Sequence, residues 1–458
     1  MFIKKFPAVF FLLLTGLCGS LKAQVKPEKK LIEFGWDFPT INFLNEHITE
    51  MENSPFDGVV FSFDRDVFHA FDTIALEDKD FQYEASRRIR WKKFTDNFIF
   101  VRGISASGGH WLEDKNWEII ISNITKLSAA VVATNAKGIG LDFEYYYPDP
   151  DKNPWIYKAS LYKGLSYQQV GAFVRKRGNQ FMTALQKDSR NIKILCFWLL
   201  GLVIDQHKVR SLPETGMALV PFFVEGLLEA QNKTSEIIDG NETAYWYNKP
   251  EDFIRAREKL QTEGAALLAA DVREKYKKVS NAECIYLDGL YAKTPGTDRG
   301  LDKATKERWL HDNLYHAYKT TDKYIWFYNE NVNWWKHQVD SGVEAIINRV
   351  QNNLTDEKMA LTPKSAGQSR TFNIKEKMPA QEKGFTYEYN SVSKNLQVKL
   401  LQPDLKKLQL FQNSRLIYSL NNPGQNLTIS LAKKFNGQGT LILLTEDSNG
   451  KTAVAYIN

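Results

Sequence analysis

Cysteine is scarce: three in 458 residues, too few for a disulfide scaffold in a chain of this size. Cys18 lies in an N-terminal segment expected to be removed. Cys196 and Cys284 sit in the apolar runs ILCFWLL and ECIYLDGL, where a thiol is expected to be buried and inert. Beyond the N-terminus no stretch reaches the roughly 18 apolar residues that crossing a bilayer requires, so no membrane span is expected in the mature chain. No low-complexity tract or solenoid repeat is present. A strong charge of one sign is also missing. The formal charge is +6, and loss of Lys4, Lys5 and Lys22 would leave +3, which does not point to nucleic acid as a partner. The chain has no Walker loop, no G-x-S-x-G elbow, no H-E-x-x-H and no cysteine cluster. Nucleotide and serine-hydrolase chemistry are therefore not expected, nor is a resident metal or cofactor.

What is present starts with an address. Lys4 and Lys5 precede the apolar run Ala8–Leu17, and a small-residue exit follows at Ala23-Gln24. These are the three zones of a secretory signal over residues 1–23. Leu17 stands where a lipidated Cys18 would want a small residue, so cleavage near Ala23 and a secreted or periplasmic protein are expected, with cell-surface lipidation the minor alternative.

Eight short apolar runs then alternate with amphipathic stretches. The runs are 31–37, 57–63, 97–104, 137–143, 192–199, 235–240, 283–287 and 323–328, each nearly continuous in the way of a strand buried on both faces. Helices are predicted over 42–52, 81–94, 117–134, 166–187, 218–230, 251–277, 303–319 and 343–352, with Asp114, Ser166 and Pro250 as start signals. Eight βα units over residues 24–354 predict an α/β fold of the (β/α)8 TIM-barrel kind. A polar linker or edge segment is expected over 355–384. Short alternating runs over 385–458, punctuated by Asn422-Pro423-Gly424, Asn436-Gly437 and Asn449-Gly450, predict a small all-β, sandwich-like module.

In such a barrel the chemistry lies at the C-terminal rim, and the residues closing these strands are acidic. They are Asp37, Asp64 and Asp66, Asp142 and Glu144, Asp239 and Glu242, Asp288, and Glu330. Carboxylates converging on one rim repel each other, which proteins retain for acid/base work or metal binding. In Gly138-Ile-Gly-Leu-Asp-Phe-Glu144 the alternation of a strand puts Gly140, Asp142 and Glu144 on one face, expected to be the barrel mouth. Glu144 is the expected proton donor, with Asp142 beside it, and Asp239, Glu242 or Asp288 the expected second carboxylate. Gly240 is expected to let Asp239 and Glu242 both face the mouth, the alternative being an Asx-type turn. Trp36, Trp111, Trp155, Trp246, Trp334 and Trp335 fall at or just past strand ends. With Asp37, Asp64, His110, Tyr245 and Glu330, the residues Trp36, Trp111, Trp246 and Trp334 are candidates for holding a sugar, whose C–H face stacks on an indole.

Gly138, Asp142 and Glu144 resemble the end of the chitinase-type signature D-G-x-D-x-D-x-E, with Lys137 and Gly140 at the two earlier Asp positions and no Tyr-Asp pair on the sixth strand. That resemblance implies that Glu144 is the general acid, assisted by Asp142. The barrel as a whole is similar to secreted glycoside hydrolases, which implies a poly- or oligosaccharide substrate and carboxylate catalysis. Two rivals stay open. One is a non-catalytic carbohydrate-binding barrel, and the other a metal-dependent hydrolase built from His110, Asp37, Asp64 and neighbouring rim carboxylates.

Overall fold

The computed structural model describes residues 29–247, 249–288, 302–354, 384–402 and 404–457. The expected signal segment, Cys18 and nearly all of the expected linker lie outside them. Strands β1 (Lys30–Gly35), β2 (Gly58–Phe61), β3 (Phe98–Arg102), β4 (Gly138–Asp142), β5 (Lys193–Cys196) and β6 (Glu236–Asp239) pair in parallel in chain order. The seventh strand comes in two pieces, β7 (Ser280–Asn281) and β8 (Glu283–Tyr286), and β9 (Tyr324–Asn329) follows. β7 pairs with β6, β8 with β9, and β9 with β1. Ala282 donates its N–H to Asp239 on the β6 side, so the strand hands its hydrogen bonds from one neighbour to the other at this residue. The ring closes into a (β/α)8 barrel.

Side-chain alternation decides what lines the axis. Phe34 stacks across the barrel on Phe197, centroids 4.1 Å apart, and Phe197 meets Trp326 at 4.8 Å. A Cβ on Gly140 would fall 2.9 Å from Phe197 and 3.4 Å from Val60. Gly140 and its strand-mate Asp142 therefore face the axis. Phe143 faces the helices and packs on Trp155, Trp198 and Phe223. Gly138 has a different reason: a Cβ there would lie 1.8 Å from the Lys193 carbonyl oxygen of β5.

The helical layer comprises α1 (Ile41–Met51), α2 (Tyr83–Ser86), α3 (Asp114–Thr134), α4 (Tyr167–Leu185), α5 (Gly201–His207), α6 (Val220–Ala230), α7 (Pro250–Lys259), α8 (Arg273–Tyr276), α9 (Lys303–Thr320) and α10 (Ser341–Asn352). Ser166 caps α4 with a reciprocal capping box to Gln169, and Pro250 opens α7. Asp114 is the first residue of α3 and not its cap, which is Glu113. Two predicted helices are corrected. Over 81–94 only α2 forms, because the Glu52 carboxylate accepts the backbone N–H groups of Lys92 (2.7 Å) and Phe94 (3.0 Å) in place of a helical ladder. Over 251–277 the helix widens into a π turn at Leu260–Gly264 and stops. There Tyr276 folds back so closely that a Cβ on Gly264 would lie 2.6 Å from its hydroxyl.

The C-terminal strands are β10 (Phe385–Asn390), β11 (Asn395–Leu400), β12 (Leu405–Gln412), β13 (Arg415–Asn421), β14 (Asn426–Ser430), β15 (Leu441–Asp447) and β16 (Thr452–Ile457). They form a three-stranded sheet, β10-β11-β14, and a four-stranded sheet, β13-β12-β15-β16. The first alternates buried and exposed residues, whereas β15 is buried on both faces. Leu410 and Leu443 belong to the sandwich core, while Phe411, Ile442, Leu444 and Tyr456 belong to the barrel's. The module thus packs on the barrel.

Candidate active site

β4 carries the centre of the mouth. Asp142 is buried, and its Oδ1 accepts the backbone N–H of Glu144 at 2.8 Å. That Asx-type bond turns the chain outward so that Glu144 emerges into solvent. The Tyr146 hydroxyl lies 2.8 Å from Asp142 Oδ2 and 2.9 Å from Glu144 Oε2. A phenol has one proton to donate, so a proton on one of the carboxyl groups must complete the second bond. Asp142 is suited to hold it: burial first, and then the nearby Glu144 charge, push its pKa up to about 7.

β6 delivers the opposing acid. Asn241 adopts the left-handed conformation at φ 51° and is clamped there. Its amide donates to Glu283 Oε2 at 2.8 Å and to the Tyr247 hydroxyl at 3.2 Å. The turn swings Glu242 toward β4. Burial raises the Glu242 carboxyl well above the usual range, with the charges of Asp142, Glu144 and Glu330 adding to it. Glu330, just past β9, is also raised by burial first and then by Asp288, and the hydroxyls of Tyr328 and Tyr286 hold it back. Burial first, and then the charges of Glu330, Asp142, Glu242 and Glu144, raise the Tyr328 phenol. It stacks on Tyr245 at 5.5 Å, which stacks in turn on Tyr286 at 4.8 Å. Four carboxyl groups therefore act on the end of this tyrosine stack at Tyr328.

Arg102 closes the other side. It is paired with Asp142 in the β3–β4 register, and its guanidinium carbon lies 5.3 Å from the Trp36 ring, 5.3 Å from Phe68 and 5.1 Å from Tyr146. Trp36 meets Tyr146 edge-on at 5.7 Å. Trp36 and Trp246 remain well exposed, 40% and 46%.

Other candidates are placed elsewhere. Asp239 lies on the helix-facing side of β6, where its Oδ1 accepts the N–H of Asn241 at 3.0 Å. It makes the Asx-type turn, and only Glu242 turns to the mouth. Burial raises the Asp239 carboxyl to about 6. Asp288 accepts the backbone N–H groups of Glu330 and Asn331 and so pins the loop carrying Glu330. Asp37 faces outward, taking N–H donors from Trp334 (2.7 Å) and Asn329 (2.9 Å). Asp64 holds the start of α1 through Thr40 (2.6 Å) and Asn42 (3.0 Å). His110 is tied to its own loop, with Ser107 at 2.9 Å and Glu113 at 3.0 Å. Trp111 and Trp155 are core side chains packed 5.2 Å apart, and Trp111 donates to the Pro154 carbonyl. Trp334 is buried against Phe56 and Phe327, and Trp335 packs on Phe94. These four tryptophans are corrected from platforms to packing, because the loops after β3 and β4 fold onto Trp117 of α3 and Phe223 of α6 and the loop after β9 folds onto Phe56, Phe94 and Phe327.

Asp37, Asp64 and His110 do not meet, and among the described residues no group of three His, Cys, Asp or Glu side chains has metal-holding geometry. The metal-dependent alternative therefore has no assembled donor set in the described part of the molecule. Arg102, Tyr146, Tyr286 and Tyr328 are the rim residues that sequence reasoning missed. The Tyr145-Tyr146-Tyr147 run beside Glu144, and the even spacing of Arg102 from Phe100, were the available signals.

No family model and no curated protein sequence matches the chain. Solved structures similar to it include a trimodular family 5 endoglucanase, at 10% identity over 94% of this chain and 78% of that one, TM-score 0.40. An α-amylase from Geobacillus thermoleovorans is 8% identical over 88% and 96% of the two chains, TM-score 0.37. A Cellulomonas fimi endo-β-1,4-mannanase is 10% identical over 94% of both, TM-score 0.35. Likeness at this level leaves the activity to be argued from the chain's own rim.

Proposed function

We propose that this is an exported glycoside hydrolase that cleaves poly- or oligosaccharides at the barrel mouth. The observation that carries the reading is the Tyr146 phenol bridging Asp142 and Glu144 at the mouth, within reach of the charges of Glu242 and Glu330. Carboxylates so close cannot all be charged, and their environments divide the roles. Glu242 lies against the tyrosine wall, holds its proton, and gives it to the departing glycosidic oxygen. Glu144, exposed and served by the Tyr146 hydroxyl, faces the anomeric carbon and attacks it or deprotonates a water that does. Asp142 and Tyr146 position Glu144: the Asp142 proton is given to the phenol oxygen and the phenol proton to Glu144. This assignment exchanges the donor role expected from the sequence, from Glu144 to Glu242. Trp36 and Trp246 offer apolar faces to sugar rings.

Reducing-sugar release from a panel of neutral, acidic and sulfated glycans tests it. Glu144→Gln and Glu242→Gln are each expected to lower kcat by about 10²–10⁴-fold, the usual contribution of a positioned acid or base, with chelator without effect. Full activity in both variants would overturn the assignment. Glycan binding without turnover in the wild type would make the barrel a binding protein.

A further inference from the structure

Among the described residues, Arg102 is an exception to the other arginines withdrawn from solvent. Arg177 bonds Trp111 O, Gln180 and Asp114. Arg175 reaches Glu225, Glu229 and Asp271, and Arg257 donates to Ser414 Oγ and the Val279 carbonyl and lies against Asp322. Arg102 is half-buried, and among the described residues no acceptor receives any of its N–H groups; its Nε is shielded from water with no partner. The nearest carboxylate in register, Asp142, has both oxygens committed to Glu144 N and Tyr146. Three aromatic rings pack around the guanidinium carbon. The rings answer part of the charge but accept none of the in-plane N–H groups, and unfilled donors on a charged group cost more than on a neutral one. A guanidinium is a planar fork that fits a carboxylate or sulfate bidentately. A sugar hydroxyl would fill one N–H and leave the fork incomplete.

We propose that Arg102, with Trp36 beneath the ring, is an anion subsite, so that the preferred substrate is an acidic glycan carrying a carboxylate or sulfate on the unit bound next to Glu144. This rests on the glycosidase reading for its turnover, but not for its binding. The subsite also gives the mouth a polarity, with the fixed cation on the β3 side and the proton-holding Glu242 on the β6 side. A chain with an anionic unit at one defined position is thereby oriented in one direction.

The test uses three matched oligosaccharides: a hexuronic-acid form, its carboxyl-reduced neutral counterpart, and a sulfated neutral form. Initial rates and calorimetric binding are measured with the wild type, Arg102→Gln and Arg102→Lys, after their circular dichroism is matched. Binding is repeated in the Glu242→Gln background, where turnover is suppressed. The wild type is expected to prefer an anionic form over the neutral one by tenfold or more in kcat/KM, on the order of one charge-assisted hydrogen bond. Arg102→Gln is expected to collapse that ratio toward one, and Arg102→Lys to restore it in part, since it keeps the charge and loses the fork. Which anion is favoured separates uronate from sulfate. Turnover without anionic preference, or a ratio unmoved by Arg102→Gln, overturns the proposal. Anion-selective binding lost in Arg102→Gln, with no turnover of any glycan, upholds the subsite and sinks the hydrolase. No anion-selective binding at all overturns the subsite whatever the turnover.

Discussion

A single phenolic proton between Asp142 and Glu144 makes the state of the mouth depend on pH. Below about 7 Asp142 keeps its own proton and Tyr146 can serve Glu144. Above it, ionised Asp142 competes for the phenol and Glu144 loses its donor. The pH profile of kcat/KM is therefore expected to fall on its alkaline side near 7. Asp142→Asn is expected to keep activity and move that fall upward, because an amide N–H donates to the phenol oxygen at every pH. Tyr146→Phe is expected to lower kcat and erase the same limb. An unchanged alkaline limb in Asp142→Asn would remove the shared proton from the account.

Loop turns rather than strands aim the acids. Asn241 at φ 51° is a conformation that Asn tolerates and most residues resist, and its amide is locked to Glu283 and Tyr247. Asn241→Ala is expected to lower stability by about 1–3 kcal/mol, through a lost clamp on a buried carboxyl and backbone strain. Asn241→Gly is expected to recover the strain but not the clamp. Denaturation midpoints should thus rank wild type, Gly, Ala, while kcat falls in both variants because Glu242 is no longer held; equal midpoints for the two would refute the strain argument. The same distinction explains what was legible in the sequence. Barrel strands buried on both faces announce themselves as apolar runs and the C-terminal strands as short alternating ones, so the eightfold barrel and the all-β module could be read directly, and the acidic strand ends with them. Which way an acid points past the last strand residue could not be read. Asp37 and Asp239 fall on the outward parity, and Glu242, three residues beyond Asp239 and past the strand's end, is placed by the left-handed Asn241 turn. Trp111 and Trp155 looked like platforms because nothing in the local pattern shows a loop folding back onto helices. Arg102 and Tyr328 gain meaning only from cross-strand register, which a single chain pattern does not carry. The helices over 81–94 and 251–277 failed because side chains, Glu52 in one case and Tyr276 in the other, override the local period.

Barrel and module share a core, and α9 lies between them, buried along its whole second half. His316 on that helix accepts or donates at 2.7 Å to the Tyr456 hydroxyl of β16. Arg255 pairs with Glu446 at 3.2 Å, and Glu251 receives the Thr452 hydroxyl. With apolar side chains from β12, β15 and β16 completing the barrel's core, the two parts are expected to unfold in one calorimetric transition, and two resolved transitions would refute this. The interface should also weaken in acid. Burial pushes His316 down from 6.5 to about 3, so the native state binds fewer protons than the unfolded one. The stability His316 contributes is complete above about pH 6.5 and drains as pH falls toward 3. Between pH 6.5 and 5 the loss is about 2 kcal/mol, at 1.36 kcal/mol per pH unit. Glu283, pushed up to about 8 by burial, works in the opposite sense and stabilises the acid side. The measurement is therefore a difference between the wild type and His316→Asn across pH 4–8. The variant is expected to start less stable at pH 7.5 and to lose less on acidification, so that the two curves approach one another below pH 5. Parallel curves would mean that His316 is protonated in the folded interface, and that the contact with Tyr456 is an ordinary surface hydrogen bond rather than part of a dry seam joining module to barrel.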